Sequence, residues 1–162
     1  MILINNGIYG MTGGQCSPLT PQKFYTETTP YGNIEPKFDV VDLLIAAKAS
    51  FVGRENVTRM LPLKNIIKKS FQHKGFSVVE AISNCHINLG RKNKMKDAIS
   101  MSNWIKSKTV TKEQWEKLSP DERKGKYPVG IRKEDTERLE YTDLYYKHVI
   151  PAAQSHSTRG AK

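Results

Sequence analysis

Between residues 12 and 36 the chain carries Gly13, Gly14, Pro18, Pro21, Pro30, Gly32 and Pro36 among many Thr and Ser. That density of breakers excludes a helix or a long strand. A loop of this length is uncommon in a compact domain unless it has a task. Whatever fold forms must hold this segment between an apolar triplet, Ile2-Leu3-Ile4, and the regular elements that follow residue 38.

Those later elements are well signalled. Asp39 is placed to cap a helix, Asp42 stands in its first turn, and Phe38 with Leu43 have the spacing of a hydrophobic staple. The apolar face predicted for that helix is Val40, Leu43, Leu44 and Ala47. Residues 50–53 read as a strand. Pro62 suits the first turn of a second helix, on which Leu63, Ile66, Ile67 and Phe71 recur at helical spacing, and Gly75 ends it. Residues 76–82 are mostly apolar without strict alternation, which is the pattern of a strand covered on both faces in a parallel sheet. Strand, helix, strand, helix, strand is an α/β order, so residues 1–82 are expected in a mainly parallel sheet with residues 7–36 looping over the strands' carboxyl ends.

Beyond Cys85 the character changes. Arg91, Lys92, Lys94 and Lys96 crowd together, residues 98–106 and 112–118 read as helical, and Tyr141, Leu144, Tyr145 and Val149 predict a last amphipathic helix ending before Pro151. The expected division is an α/β domain over 1–85 and a basic, partly helical extension over 86–162, frayed after Ala153. With Lys plus Arg at 26 against Asp plus Glu at 16, the formal charge of +10 favours anionic partners. No apolar run approaches the roughly 20 residues of a membrane-spanning helix and no signal-peptide pattern precedes the core, so a cytoplasmic chain is expected. Cys16 and Cys85 are the two cysteines of the chain. Two thiols make neither a disulfide framework nor a four-cysteine metal site.

Asn5-Asn6-Gly7-Ile8-Tyr9-Gly10-Met11-Thr12-Gly13-Gly14-Gln15 puts a polar pair directly after a strand and then frees the backbone with glycines. An α/β sheet builds anion and cofactor sites in this way at the carboxyl ends of its strands. An Asn amide oxygen and a main-chain carbonyl are hard ligands suited to magnesium on a diphosphate. From spacing alone, a glycine-rich surface loop without ligand stands as an equal alternative.

The string NNGIYGMTGGQ, followed by Ser17-Pro18 and Thr20-Pro21, resembles the thiamine-diphosphate-binding beta subunit of the 2-oxoacid:ferredoxin oxidoreductases. The likeness continues through TPYGNIEPKFD (29–39), GFSVVEAISNC (75–85) and EDTERLEYTDLYYK (134–147), and GFSVVEAISNCHINLGRKN is most similar to enzymes of 2-oxoglutarate. The resemblance implies the carboxyl-terminal half of a thiamine-diphosphate-binding fold. It implies Asn6 as a side-chain magnesium ligand, Ile8 as a backbone-carbonyl ligand, and Tyr9, Gly10, Met11 and Thr12 as the turn beside the diphosphate. Cys85 matches the last of four cysteines that hold a 4Fe-4S cluster, and Cys16 is given no role. The family's Gly-Asp-Gly motif and its other three cysteines are missing from these 162 residues, so a fragment, inactive alone, is expected. No residue is assigned to catalysis itself.

The activity implied is oxidative decarboxylation of a 2-oxoacid to an acyl-coenzyme A, with electrons leaving through the cluster to ferredoxin. An alpha subunit, with or without further subunits, is the implied partner. Pyruvate or another 2-oxoacid is the alternative substrate. The competing class is a non-catalytic basic module binding nucleic acid or an assembly. It is ranked lower, because Glu113, Glu116, Asp121 and Glu122 lie among the basic residues. The cluster Arg91, Lys92, Lys94 and Lys96 is read as a solvated face or as a docking patch for ferredoxin or a neighbouring subunit. Anaerobic reconstitution of the 162-residue chain with iron and sulfide is expected to yield no broad visible absorbance of a 4Fe-4S cluster, since two thiolates cannot complete one. A stoichiometric cluster spectrum would overturn the cysteine arithmetic.

Overall fold

The computed structural model describes residues 1–159. Its elements begin with β1 (Ile2–Asn5), α1 (Val40–Ala46), β2 (Phe51–Asn56), α2 (Met60–Gln72) and β3 (Ser77–Ile82). A π-helical turn, His86–Gly90, leads to α3 (Ala98–Lys108), β4 (Thr109–Val110), α4 (Lys112–Lys117), α5 (Pro120–Arg123), β5 (Tyr127–Pro128) and β6 (Gly130–Glu134). Then come α6 (Tyr141–Leu144), a second π-helical turn over Tyr145–Val149, and α7 (Ile150–Arg159).

The main sheet has the order β1-β3-β2-β6. β1, β3 and β2 are parallel, as expected, and Arg54 lies opposite Glu80 while Asn5 lies opposite Ile82. β2 and β3 are buried along their whole length. The two helices cover opposite faces. Val41, with Val40, Leu44 and Ile45 of α1, packs on Ala49 and Val52. Ile66, with Leu63 and Ile67 of α2, packs on Phe51 and Val79. The close approach of α2 is possible because Gly53 has no Cβ; one added there would lie 2.5 Å from Ile66.

Several sequence expectations shift. Asp39 does cap α1, accepting from the amides of Val41 and Asp42. Leu43 and Ala47, however, are exposed and Val41 and Ile45 take their place, so the buried stripe is rotated toward Val52. α2 begins two residues before Pro62, and Phe71 is exposed at its far end. Gly130–Glu134, read from sequence as part of a peripheral extension, adds an antiparallel fourth strand to β2, with a register shift at Val52/Gly53. The last helix does not stop before Pro151. A proline clashes with the carbonyl four residues back and offers no amide. The widened turn Tyr145–Val149, closed by the Ile150 amide on the Tyr145 carbonyl, absorbs that misfit and α7 runs on to Arg159. The tail expected to fray after Ala153 is thus helical as far as Arg159, and residues 160–162 lie outside the described residues.

After β3 the chain turns through Cys85 into His86–Gly90, where the Gly90 amide donates to the Cys85 carbonyl at 2.9 Å and the Met95 amide to the Gly90 carbonyl at 2.8 Å. A Cβ on Gly90 would lie 2.2 Å from the Met95 carbonyl oxygen, so the backbone must give way to any side chain there. Gly90→Ala is expected to lower unfolding stability by about 1–3 kcal/mol, the usual cost of forced overpacking. A denaturation midpoint equal to wild type would contradict that.

Candidate functional site

β1 ends at Asn5, and the next residues turn sharply. The Asn5 side chain accepts from the Gly7 amide (3.0 Å) and the Asn6 side chain from the Ile8 amide (3.2 Å). Gly7 has φ +72°, a conformation that costs glycine little and side-chain-bearing residues more. Its carbonyl accepts a 2.6 Å hydrogen bond from the hydroxyl of Thr20, which is fully buried. A short two-stranded closure follows: the Tyr9 amide donates to the Gln15 carbonyl and the Gly14 amide to the Tyr9 carbonyl. The long loop is therefore a folded structure, organised by Thr20, Thr26 and Asn33, all buried polar residues.

This turn borders a cleft of about 400 Å³ lined by Asn5, Asn6, Gly7, Ile8 and Tyr9 together with Pro18 and Phe38. Of the residues expected at the diphosphate, Asn6, Ile8 and Tyr9 reach this cleft and Gly10, Met11 and Thr12 do not line it. Met11 is fully exposed at the loop tip, and Thr12 is tied to Gln15 through both side chain and backbone. Gly10 instead faces the π-helical turn. Its carbonyl accepts from the Asn88 amide group (2.9 Å), and a Cβ on it would stand 3.5 Å from Cys85 Sγ. Cys85 is half-buried against Ile8, Leu89, Met95 and Met101. The turn after β1 and the thiol after β3 thus share one wall.

The donor set fits part of a magnesium–diphosphate site. Asn6 and Ile8 both line the cleft and carry hard oxygens, a side-chain amide oxygen and a main-chain carbonyl, and no carboxylate lines it among the described residues. A four-thiolate cluster is a different matter: the described residues contain no group of three or more His, Cys, Asp and Glu able to hold a metal, so Cys85 can be at most one ligand. Of the basic cluster, Lys92 pairs with Glu27 (2.9 Å) and Asn93 holds both the amide and the carbonyl of Tyr25.

Sequence reading missed the charged group beneath the turn. Arg54 Nε meets Glu80 Oε2 at 2.5 Å, Glu80 Oε1 accepts from Asn5 Nδ2 at 2.6 Å, and the other end of Arg54 reaches Asp39 at 2.5 Å. Arg54 and Glu80 are 1% exposed. Opposite charges in the middle of two apolar strands were the available signal. Lys37 lies against the same group, its Nζ 3.6 Å from the centre of the Tyr127 ring. Burial pushes the Lys37 amine down to about 8, with Arg54 adding to the effect and Glu80 and Asp39 opposing it. Burial likewise pushes the Tyr127 hydroxyl up to about 12.

Among curated relatives, 2-oxoglutarate synthase subunit KorB of Methanothermobacter thermautotrophicus is 45% identical over 80% of this chain and 46% of its own length. Its counterpart in Methanocaldococcus jannaschii is 37% identical over 91% of this chain and 54% of its own. The protein-family model of the thiamine pyrophosphate enzymes' C-terminal TPP-binding domain matches residues 1–81. The chain belongs to that family. A solved 2-oxoglutarate:ferredoxin oxidoreductase from Magnetococcus marinus, 21% identical, has the same fold, with a TM-score of 0.73 over 99% of this chain and 57% of that one. The chain spans about half the length of the curated relatives it matches. No described helix is long and apolar enough to cross a membrane. The family match ends at the carboxyl end of β3, so its region contains the whole turn from Asn5 to Gln15 and stops just short of Cys85.

The two shifted groups predict a pH signature. Between about pH 8 and 10.5 the unfolded Lys37 holds more proton than the folded one, so stability rises with pH in that window. Between about pH 10 and 12 the folded Tyr127 holds more proton than the unfolded one, and stability falls. Urea unfolding followed against pH should show the first rise, and Lys37→Met should abolish it; an unchanged rise in that variant would contradict the burial assigned to Lys37.

Proposed function

We propose that this chain is the cofactor-binding part of the beta subunit of a 2-oxoacid:ferredoxin oxidoreductase acting on 2-oxoglutarate. The observation that carries this reading is the turn at the end of β1, which puts Asn6 and Ile8 on a cleft that no carboxylate lines among the described residues. The names of the Methanothermobacter and Methanocaldococcus relatives support the substrate. The overall conversion is 2-oxoacid plus coenzyme A to acyl-coenzyme A and carbon dioxide, with electrons taken up by ferredoxin. Thiamine diphosphate, when bound, supplies the electron sink that makes decarboxylation possible.

The chain's own residues bind and orient. Asn6 and Ile8 offer two of the six oxygens that magnesium requires at near-octahedral geometry. Gly7, fixed at its amide by Asn5 and at its carbonyl by Thr20, keeps those two residues on the cleft. Tyr9, with Phe38 and Pro18, gives the cleft apolar walls that limit water around the bound diphosphate. Cys85 is one of four thiolates of a 4Fe-4S cluster in this reading, and its place beside Gly10 keeps the electron's exit close to the cofactor turn. An alpha subunit and ferredoxin are the partners, in the cytoplasm.

In the holoenzyme containing this chain, Asn6→Ala should weaken magnesium–thiamine diphosphate binding and spare the cluster. Cys85→Ala should cost the cluster and ferredoxin reduction and spare thiamine diphosphate binding. Calorimetry, iron content and ferredoxin reduction together read both variants. Full cluster content in Cys85→Ala would make the thiol an ordinary core residue, and unaltered cofactor affinity in Asn6→Ala would remove the ligand assignment.

A further inference from the structure

We propose that Glu80 is a positioning residue for the magnesium turn, acting through Asn5, and that the buried Arg54–Glu80 pair exists to orient it. The inference rests on the reading of Asn6 and Ile8 given above.

Both carboxylate oxygens of Glu80 are engaged, Oε2 by Arg54 Nε and Oε1 by Asn5 Nδ2. Asn5 is 4% exposed, and its remaining oxygen accepts from the Gly7 amide. Arg54 is fixed in turn by Asp39, whose Oδ1 also caps α1. A continuous series of hydrogen bonds therefore runs from the start of α1 through β2 and β3 to the amide of Gly7. Thr20 holds the carbonyl of the same Gly7. Asn6 lies between Asn5, held by Glu80, and Gly7, held at both its amide and its carbonyl.

The energetics argue for orientation over stability. A buried ion pair is on average no more stabilising than apolar side chains of the same volume, because desolvating both charges offsets their attraction. On the face that carries Arg54 and Glu80 the neighbouring side chains of β2 and β3 include Val52, Val78 and Ile82, so an apolar pair would suit the strands themselves. What an apolar pair cannot do is fix the rotamer of Asn5. A carboxylate can, since the Asn5 amide group has no access to water and would be left unsatisfied in any other orientation. The parallel register makes this possible: Arg54 is directly across from Glu80, and Asn5, opposite Ile82, is the diagonal neighbour of Glu80 on the same face.

The test uses the holoenzyme containing this chain, stripped of metal and titrated with magnesium at saturating thiamine diphosphate. In Arg54→Met/Glu80→Leu the strands stay filled but Asn5 Nδ2 and Asp39 lose their partners, so the thermal midpoint should fall, and in the folded protein magnesium affinity should fall about 10–100-fold, the span typical of a lost outer partner of a metal ligand. In the metal-free protein, hydrogen exchange at the Gly7 and Ile8 amides should quicken, a readout that does not depend on activity. Glu80→Gln offers a single acceptor oxygen to two donors, Arg54 Nε and Asn5 Nδ2, so it cannot hold both and should weaken magnesium binding as well. If the double variant does not fold, Glu80→Asp decides: it keeps the charge and withdraws the carboxylate from Asn5, and wild-type magnesium affinity in that variant overturns the proposal. So does wild-type affinity in a folded double variant. Asn6→Ala run alongside separates the two ideas. Unaltered affinity there removes the ligand assignment itself; weakened affinity there with unaltered affinity in Glu80→Asp removes only the positioning role.

Discussion

The structure depends on a guanidinium that has no water to turn to. Arg54 sits in the middle of β2, buried among strands, and an arginine cannot escape by losing its proton. Its charge must be met inside the fold, by Glu80 across the parallel ladder and by Asp39 at the head of α1. Meeting it fixes three things at once: the register of β2 on β3, the docking of α1 on the sheet, and the side chain of Asn5 at the end of β1. A slip of one residue in either strand would move Glu80 to the opposite face and leave two isolated charges in the core. Asp39 responds as a member of such a group should. Burial works against its ionised form, yet Arg54 and the amides of Asp42 and Val41 hold it below the usual carboxylate range.

That constraint reaches the site because the sheet is parallel. All three parallel strands deliver their carboxyl ends to one edge, so the turn after β1 and the thiol after β3 arrive side by side with no further device. The π-helical turn His86–Gly90 then brings Asn88 back onto Gly10, and Asn93 clasps Tyr25 of the long loop. π-helical turns are rare and are found mostly at functional sites. Here the extra residue per turn sets Asn88 against the loop while Leu89 stays in the core.

The elements legible in the sequence were those whose signals are local. Asp39 as a cap, the two-sided apolar run of β3 and the breaker-dense loop each carry their own physical cause within a few residues. The turn after β1 was legible in the same way: Asn5-Asn6-Gly7 follows a strand, and the structure puts Asn6, Ile8 and Tyr9 on one cleft, with Gly10, Met11 and Thr12 outside it. What was not legible depends on distant partners. Glu80 looks like a polar interruption of a strand until Arg54 is seen opposite it. β6 is a run of Arg132, Lys133 and Glu134 whose pairing with β2 has no apolar alternation to announce it. The buried roles of Thr20 and Asn33 exist only once the loop closes on Gly7 and Phe24. Pro151 was read by its usual effect on helices, and the π-helical turn before it cancels that effect.

The central claim is that the turn after β1 is a magnesium–diphosphate site prepared by the sheet beneath it. A crystal structure of the holoenzyme containing this chain, with magnesium and thiamine diphosphate bound, tests it most directly. The account predicts Asn6 Oδ1 and the Ile8 carbonyl oxygen about 2.0–2.1 Å from the metal, the spacing magnesium demands, with Asn5 still bonded to Glu80. A metal coordinated wholly by other residues, with the Asn6 side chain still turned onto the Ile8 amide, would contradict it.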